Sequence, residues 1–126
     1  MKRLWIAAAI LVAVFAGICL HIVSLKGFTE ELTVLLEQAE AEAEAGRWEQ
    51  AGALTEQAFL RWQDRDVYLH VLLRHSDTDQ IYADFHETAA LLAYQEWGEY
   101  SAASARLITH LELLYEAEQL TLKNLF

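Results

Sequence analysis

Leu4 to Leu25 read LWIAAAILVAVFAGICLHIVSL, 22 residues without a single Asp, Glu, Lys or Arg. Wound into a helix at 1.5 Å per residue, the stretch is about 33 Å long, close to the thickness of a bilayer's hydrocarbon core. It reads as a membrane-spanning helix, and the rest of the chain as a domain held at a membrane surface. Lys2 and Arg3 precede the run and one Lys26 follows it. Short positively charged flanks tend to stay in the cytoplasm. The expected arrangement is therefore a single pass through the cell membrane, N-terminus cytoplasmic and C-terminal domain extracytoplasmic. Trp5 and His21 near the two ends suit interfacial positions.

The competing reading is a signal peptide cleaved after Val14-Phe15-Ala16. Against it, the apolar run continues nine residues past Ala16 with no polar stretch to end it. Cys19 is the only cysteine, so no intramolecular disulfide is expected. Bulky Ile18 directly before it argues against lipid attachment and for a small apolar filler.

The composition changes abruptly after Lys26. All 19 acidic residues lie beyond it, with only six basic ones, so residues 27–126 carry −13 against +3 for residues 1–26. A charge this negative repels phosphate backbones, and no nucleic-acid partner is expected. The 100 residues from 27 to 126 suffice for one compact domain. The chain has no Pro and five Gly, with abundant Ala, Leu, Glu and Gln, which predicts an all-α fold. The division read here is a membrane anchor at 1–26 and a helical domain at 27–126.

Apolar residues at helical spacing place the elements. Phe28, Leu32, Leu35, Leu36, Ala39 and Ala43 form a first stripe that ends at Gly46, and with no Pro in between it can continue the membrane helix. Trp48, Ala51, Thr55, Ala58, Phe59 and Trp62 form a second, broken near residues 63–66. A third helix is expected from about Val67 to Trp97, with Tyr68, Val71, Leu72, His75, Asp79, Tyr82, Phe85 or His86, Ala89 and Leu92 on one side and Gly98 as its stop. Tyr100, Ala103, Leu107, Leu111 and Leu114 mark a fourth.

Gly46-Arg-Trp48-Glu-Gln-Ala51 is echoed by Gly98-Glu-Tyr100-Ser-Ala-Ala103. In each, a glycine closes a helix and an aromatic opens the next, the grammar of an antiparallel helical hairpin. The 52-residue offset does not suit a tetratricopeptide array, whose period is about 34. Two antiparallel hairpins following one transmembrane helix are expected.

Several of these features together resemble a known family, the domain of unknown function 4363. They are the apolar helix after Met-Lys, Gly-Arg-Trp48-Glu-Gln-Ala, Trp62, His75 with Asp79 one turn on, and the closing Leu122-Lys123-Asn124-Leu125-Phe126. The resemblance spans nearly the whole chain. It implies a short membrane-anchored helical protein of Gram-positive bacteria and no particular activity.

His75 and Asp79, at i and i+4, share a helix face, with His86 further along it. These three are the candidate polar layer, read as structural, with Asp79 accepting from His75 and fixing helix register. A metal site would want three or four converging ligands, and the Glu-x-x-His pairing of metal-binding bundles is absent from both hairpins. No metal, cofactor or catalytic residue is expected: no strand-turn-helix elbow carries a Ser and no Gly-rich phosphate loop is present. The apolar tail, Leu120 to Phe126, is expected to fold back on the bundle rather than dock on a partner.

The reading is a non-enzymatic accessory or scaffold subunit that presents a helical surface to a membrane or envelope protein. The alternative is a small metal- or ligand-sensing domain built on the His/Asp layer. A sensor would bring three or more ligands together, whereas a scaffold would leave an apolar or aromatic patch uncovered.

Overall fold

A computed structural model describes residues 1–65 and 75–125, apart from the side chains of residues 75, 76, 121, 122 and 125. Among these residues the chain forms four helices and no strand: α1 (Lys2–Glu44), α2 (Trp48–Asp64), α3 (His75–Ala93) and α4 (Trp97–Leu125). They are neighbours around a ring in chain order, with α1 on α2 and α4, and α3 on α2 and α4. This is an up-down-up-down bundle of two antiparallel hairpins. Tyr68, Val71 and Leu72, expected on the third helix, lie outside the described residues.

The first helix runs unbroken through 43 residues, about 65 Å at 1.5 Å each. Gly27 does not interrupt it. From Leu4 to Gly17 every residue is exposed, and this end is long and apolar enough to cross a membrane. The bundle's core begins before the expected boundary at residue 26: Ile22 and Leu25 are already buried. The apolar stretch and the first helix of the bundle are one continuous helix.

Around that rod the core is aromatic. Trp62 is fully buried, stacks on Phe28 with ring centroids 6.1 Å apart, and meets Phe85 from α3. Leu32, Leu36, Leu107 and Leu111 are fully buried beside them. Truncating any of these to Ala removes about 2–5 kcal/mol. Nearer the hairpin turns, Ala39, Ala43 and Ala51 bring α1 and α2 close, and Tyr100 fills the space beside them.

The α1–α2 turn has a definite chemistry. Gly46 adopts φ +84°, its N–H bonds the carbonyl of Ala43 at 3.0 Å, and the N–H of Arg47 bonds that of Glu42 at 2.8 Å. These are the paired bonds of a Schellman stop, which needs a left-handed residue. The Arg47 guanidinium also hydrogen-bonds the Glu42 carboxylate, which lowers the Glu42 pKa from its ordinary value. At the α3–α4 turn the left-handed residue is Gln95, at φ 56°, and not Gly98, which lies in the first turn of α4. The echo of Gly46-Arg47-Trp48 is therefore Gln95-Glu96-Trp97. Glycine was read as the stop because it is the residue that adopts this conformation without strain.

The third helix is rotated from the expected register. Its buried residues are Thr78, Ile81, Asp84, Phe85, Thr88 and Leu92. Asp79, Tyr82, His86 and Ala89 face outward. Thr88 sits in the core because its hydroxyl donates to the carbonyl of Asp84 at 2.8 Å, which removes the penalty of burying it.

Candidate functional site

Helix α2 turns Trp48, Glu49, Gly52, Thr55, Glu56 and Phe59 toward α3, which answers with Phe85, His86, Ala89, Leu92 and Ala93. On both helices these positions recur at three, four and seven, so each set is a single stripe. Between the stripes lies a groove of about 400 Å³. Among the described residues α2 and α3 are the least closely packed neighbours in the ring, and Gly52, Ala89 and Ala93 are small where the helices face each other. A Cβ added at Gly52 would meet nothing within 4 Å.

One wall of the groove is aromatic. Phe59 lies 5.5 Å from Phe85 and 5.3 Å from the His86 imidazole, which it meets edge-on. Tyr82 packs on both, 4.4 Å from His86 and 5.7 Å from Phe59, so the three rings form one cluster. Glu49 and Glu56 are exposed at the rim. At the hairpin-turn end, Trp48 packs edge-on against Tyr100 at 6.1 Å, and Tyr94 and Trp97 are exposed nearby. The groove thus offers an apolar and aromatic floor, one imidazole and two carboxylates. Thr55 contributes no free nucleophile, since its hydroxyl donates to the Ala51 carbonyl at 2.9 Å.

Of the expected polar layer, His75 begins α3 with its side chain outside the described residues. Asp79 is exposed rather than in the core, and His86 is exposed on the groove wall. A buried polar contact of this helix is at Asp84, five residues beyond Asp79. Its carboxylate meets Nδ1 of His110 on α4 and accepts from Gln80 Nε2 at 3.0 Å. The expected stripe of the third helix does not include Asp84, so sequence reasoning missed this contact. The signal was available: Asp84 lies three residues after Ile81 and four before Thr88, on the stripe that ends at Leu92. Among the described residues, no group of three or more His, Cys, Asp or Glu is placed to hold a metal ion.

Tyr100 is a strongly perturbed titratable group among the described residues. Burial, reinforced by the nearby Glu40 carboxylate, pushes its phenol up to about 12. Its hydroxyl lies near Thr55 and Ser104 without a well-formed hydrogen bond.

Fold and site together define a small helical bundle carried on a long apolar helix, with an aromatic groove between its second and third helices. The chain belongs to the family described as Domain of unknown function (DUF4363), whose model matches residues 19–125. The match takes in the whole bundle and the last turns of the apolar stretch. No curated protein and no solved structure matches the chain.

Proposed function

We propose that this protein is a non-enzymatic accessory subunit of the cell envelope, anchored by one membrane pass at residues 4–25 with its bundle outside the cytoplasm. Its α2–α3 groove receives an apolar segment of a membrane or envelope partner. The observation that carries this reading is the uncovered aromatic groove. A lone bundle gains by burying Phe59 and Trp48 more fully, and here both line an open groove of about 400 Å³. The occupant argued for is an amphipathic helix with basic flanks. Its apolar face suits the floor, and Lys or Arg beside that face suits Glu49, Glu56 and the −13 charge of residues 27–126.

The Asp84–His110 contact belongs, on this reading, to the register of α3 against α4. The sensor alternative would draw on His86, the one imidazole in the groove, which has no second ligand within its lining other than the two rim carboxylates.

Filling the groove tests the proposal. Gly52→Leu puts a side chain into open space and replaces a helix-interior glycine, so the melting temperature of the full chain in detergent should hold or rise. Proteins that co-purify with the wild-type chain from solubilised membranes, and leave it as salt is raised, should be lost from this variant. An unchanged set of co-purifying proteins would show that the groove does not hold them.

A further inference from the structure

We infer that the segment received by the α2–α3 groove lies wholly outside the bilayer and carries two basic side chains two helical turns apart. The inference rests on the groove reading above and on α1 as a membrane span, and it specifies which part of the partner docks. The register of α2 against α1 fixes the height of the groove. Arg65 Nη1 donates to the Ser24 hydroxyl at 3.1 Å, Trp62 stacks on Phe28, and the Arg61 guanidinium pairs with the Glu31 carboxylate. The turn at Gly46 closes the hairpin. Carried upward, this register sets Phe59 level with Leu32 and Trp48 level with Ala43, and each of these pairs belongs to one packed cluster. Leu32 lies seven residues beyond Leu25 and Ala43 eighteen, about 10 and 27 Å along α1. The polar layer of a bilayer extends only about 5–8 Å beyond its hydrocarbon. Ile22 and Leu25 are already covered by the bundle, so the lipid boundary on α1 lies no higher than Leu25 and these separations are minima.

The occupant is therefore not a neighbour's membrane-spanning helix, which would meet α1 along its exposed Leu4 to Gly17 stretch instead. It is an extracytoplasmic segment, and water surrounds the groove rim. Glu49 and Glu56 stand exposed on that rim, seven residues apart on one face of α2 and about 10 Å from each other along its axis. Between them the groove is lined by Gly52 and Thr55 of α2, faced by Ala89 of α3. A helix lying along the groove sets its own residues i and i+7 at the same spacing. Lys or Arg at those two positions meets Glu49 and Glu56, and apolar side chains at i+3 and i+4, on the same side of that helix, reach the floor. Rim pairs of this kind select a partner and speed its arrival more than they tighten the complex, and salt screens them. The same basic side chains would be costly within hydrocarbon. The acidic rim and the height of the groove thus point to one source.

The test places a photoreactive residue at position 86, at the membrane-near end of the groove, or at position 93, at its far end, in the full chain in cells. Each adduct is digested and the crosslinked partner peptide identified. Both positions should reach one partner segment, at points about seven residues apart. That segment should lie outside any apolar stretch of about 20 residues and carry Lys or Arg at i and i+7. Glu49→Gln and Glu56→Gln together should lower the adduct yield several-fold. A crosslinked peptide inside a membrane-spanning stretch overturns this inference and leaves the groove reading standing. A yield that the two Gln changes leave unaltered does the same. No adduct from either position, with the chain present at its normal level in the membrane, overturns the groove reading, and this inference with it.

Discussion

The carboxylate of Asp84 on α3, 2% exposed, is held by Nδ1 of His110 on α4 and by the Gln80 amide. It is a buried acid that joins the second hairpin, and one side chain on each of its two helices contacts it. Asp84→Ala leaves the imidazole and the amide without their acceptor. A lost hydrogen bond to a buried charged group costs on the order of 1–3 kcal/mol. A fall of several degrees in melting temperature is expected for the full chain in detergent. The double variant with His110→Ala should cost less than the sum of the two single changes. Additive losses would mean that the two side chains do not act on each other.

The two hairpin turns should respond in opposite directions to changes at their left-handed residues. Gln95→Gly relieves a strained backbone and should stabilise the protein by about 1 kcal/mol, whereas Gly46→Ala should cost about the same. Denaturant midpoints for the two variants check this. A Gln95→Gly variant less stable than the parent would contradict the assignment of the turn to that residue.

A phenol whose folded pKa is raised favours the neutral form, so its stabilisation is complete below the unfolded value of about 10 and is lost as pH rises toward 12. Melting temperature should therefore fall between those limits partly because of Tyr100. Tyr100→Phe also removes a buried hydroxyl with no well-formed hydrogen bond, so it should be neutral or mildly stabilising at pH 7 and should flatten the alkaline fall. An alkaline limb identical in parent and variant would place its origin elsewhere.

Orientation is tested by reporters fused after Phe126. One that works only outside the cytoplasm should be active, and one that works only in the cytosol should be silent. The reverse pattern would put the acidic bundle inside the cell.

What was legible in the sequence followed from uninterrupted spacing. Leu32, Leu36 and Ala39 in α1, Ala51, Thr55, Ala58 and Trp62 in α2, and Tyr100, Ala103, Leu107 and Leu111 in α4 are all buried, and each series is apolar or nearly so. The third helix was harder because its core positions include Thr78, Asp84 and Thr88 while Tyr82 and Ala89 face outward, so the apolar pattern competes with the true one. Only the hydrogen bonds that satisfy Thr88 and Asp84 make their burial tolerable, and those partners come from the fold. The Gln95 turn was hidden because a nearby Gly98 offered the cheaper stop. The groove has no sequence signature of its own: it is a distance between two helices, and the small residues that widen it, Gly52, Ala89 and Ala93, read equally well as close-packing positions.

The most direct measurement is photocrosslinking in cells from a photoreactive residue placed at position 52, inside the groove, compared with one at position 34 on the exposed side of α1. A discrete adduct with a membrane or envelope protein is expected from position 52 and not from position 34, weakened when Glu49 and Glu56 are changed to Lys. Equal adducts from both positions, or none from position 52, would contradict the groove as the surface through which this protein acts.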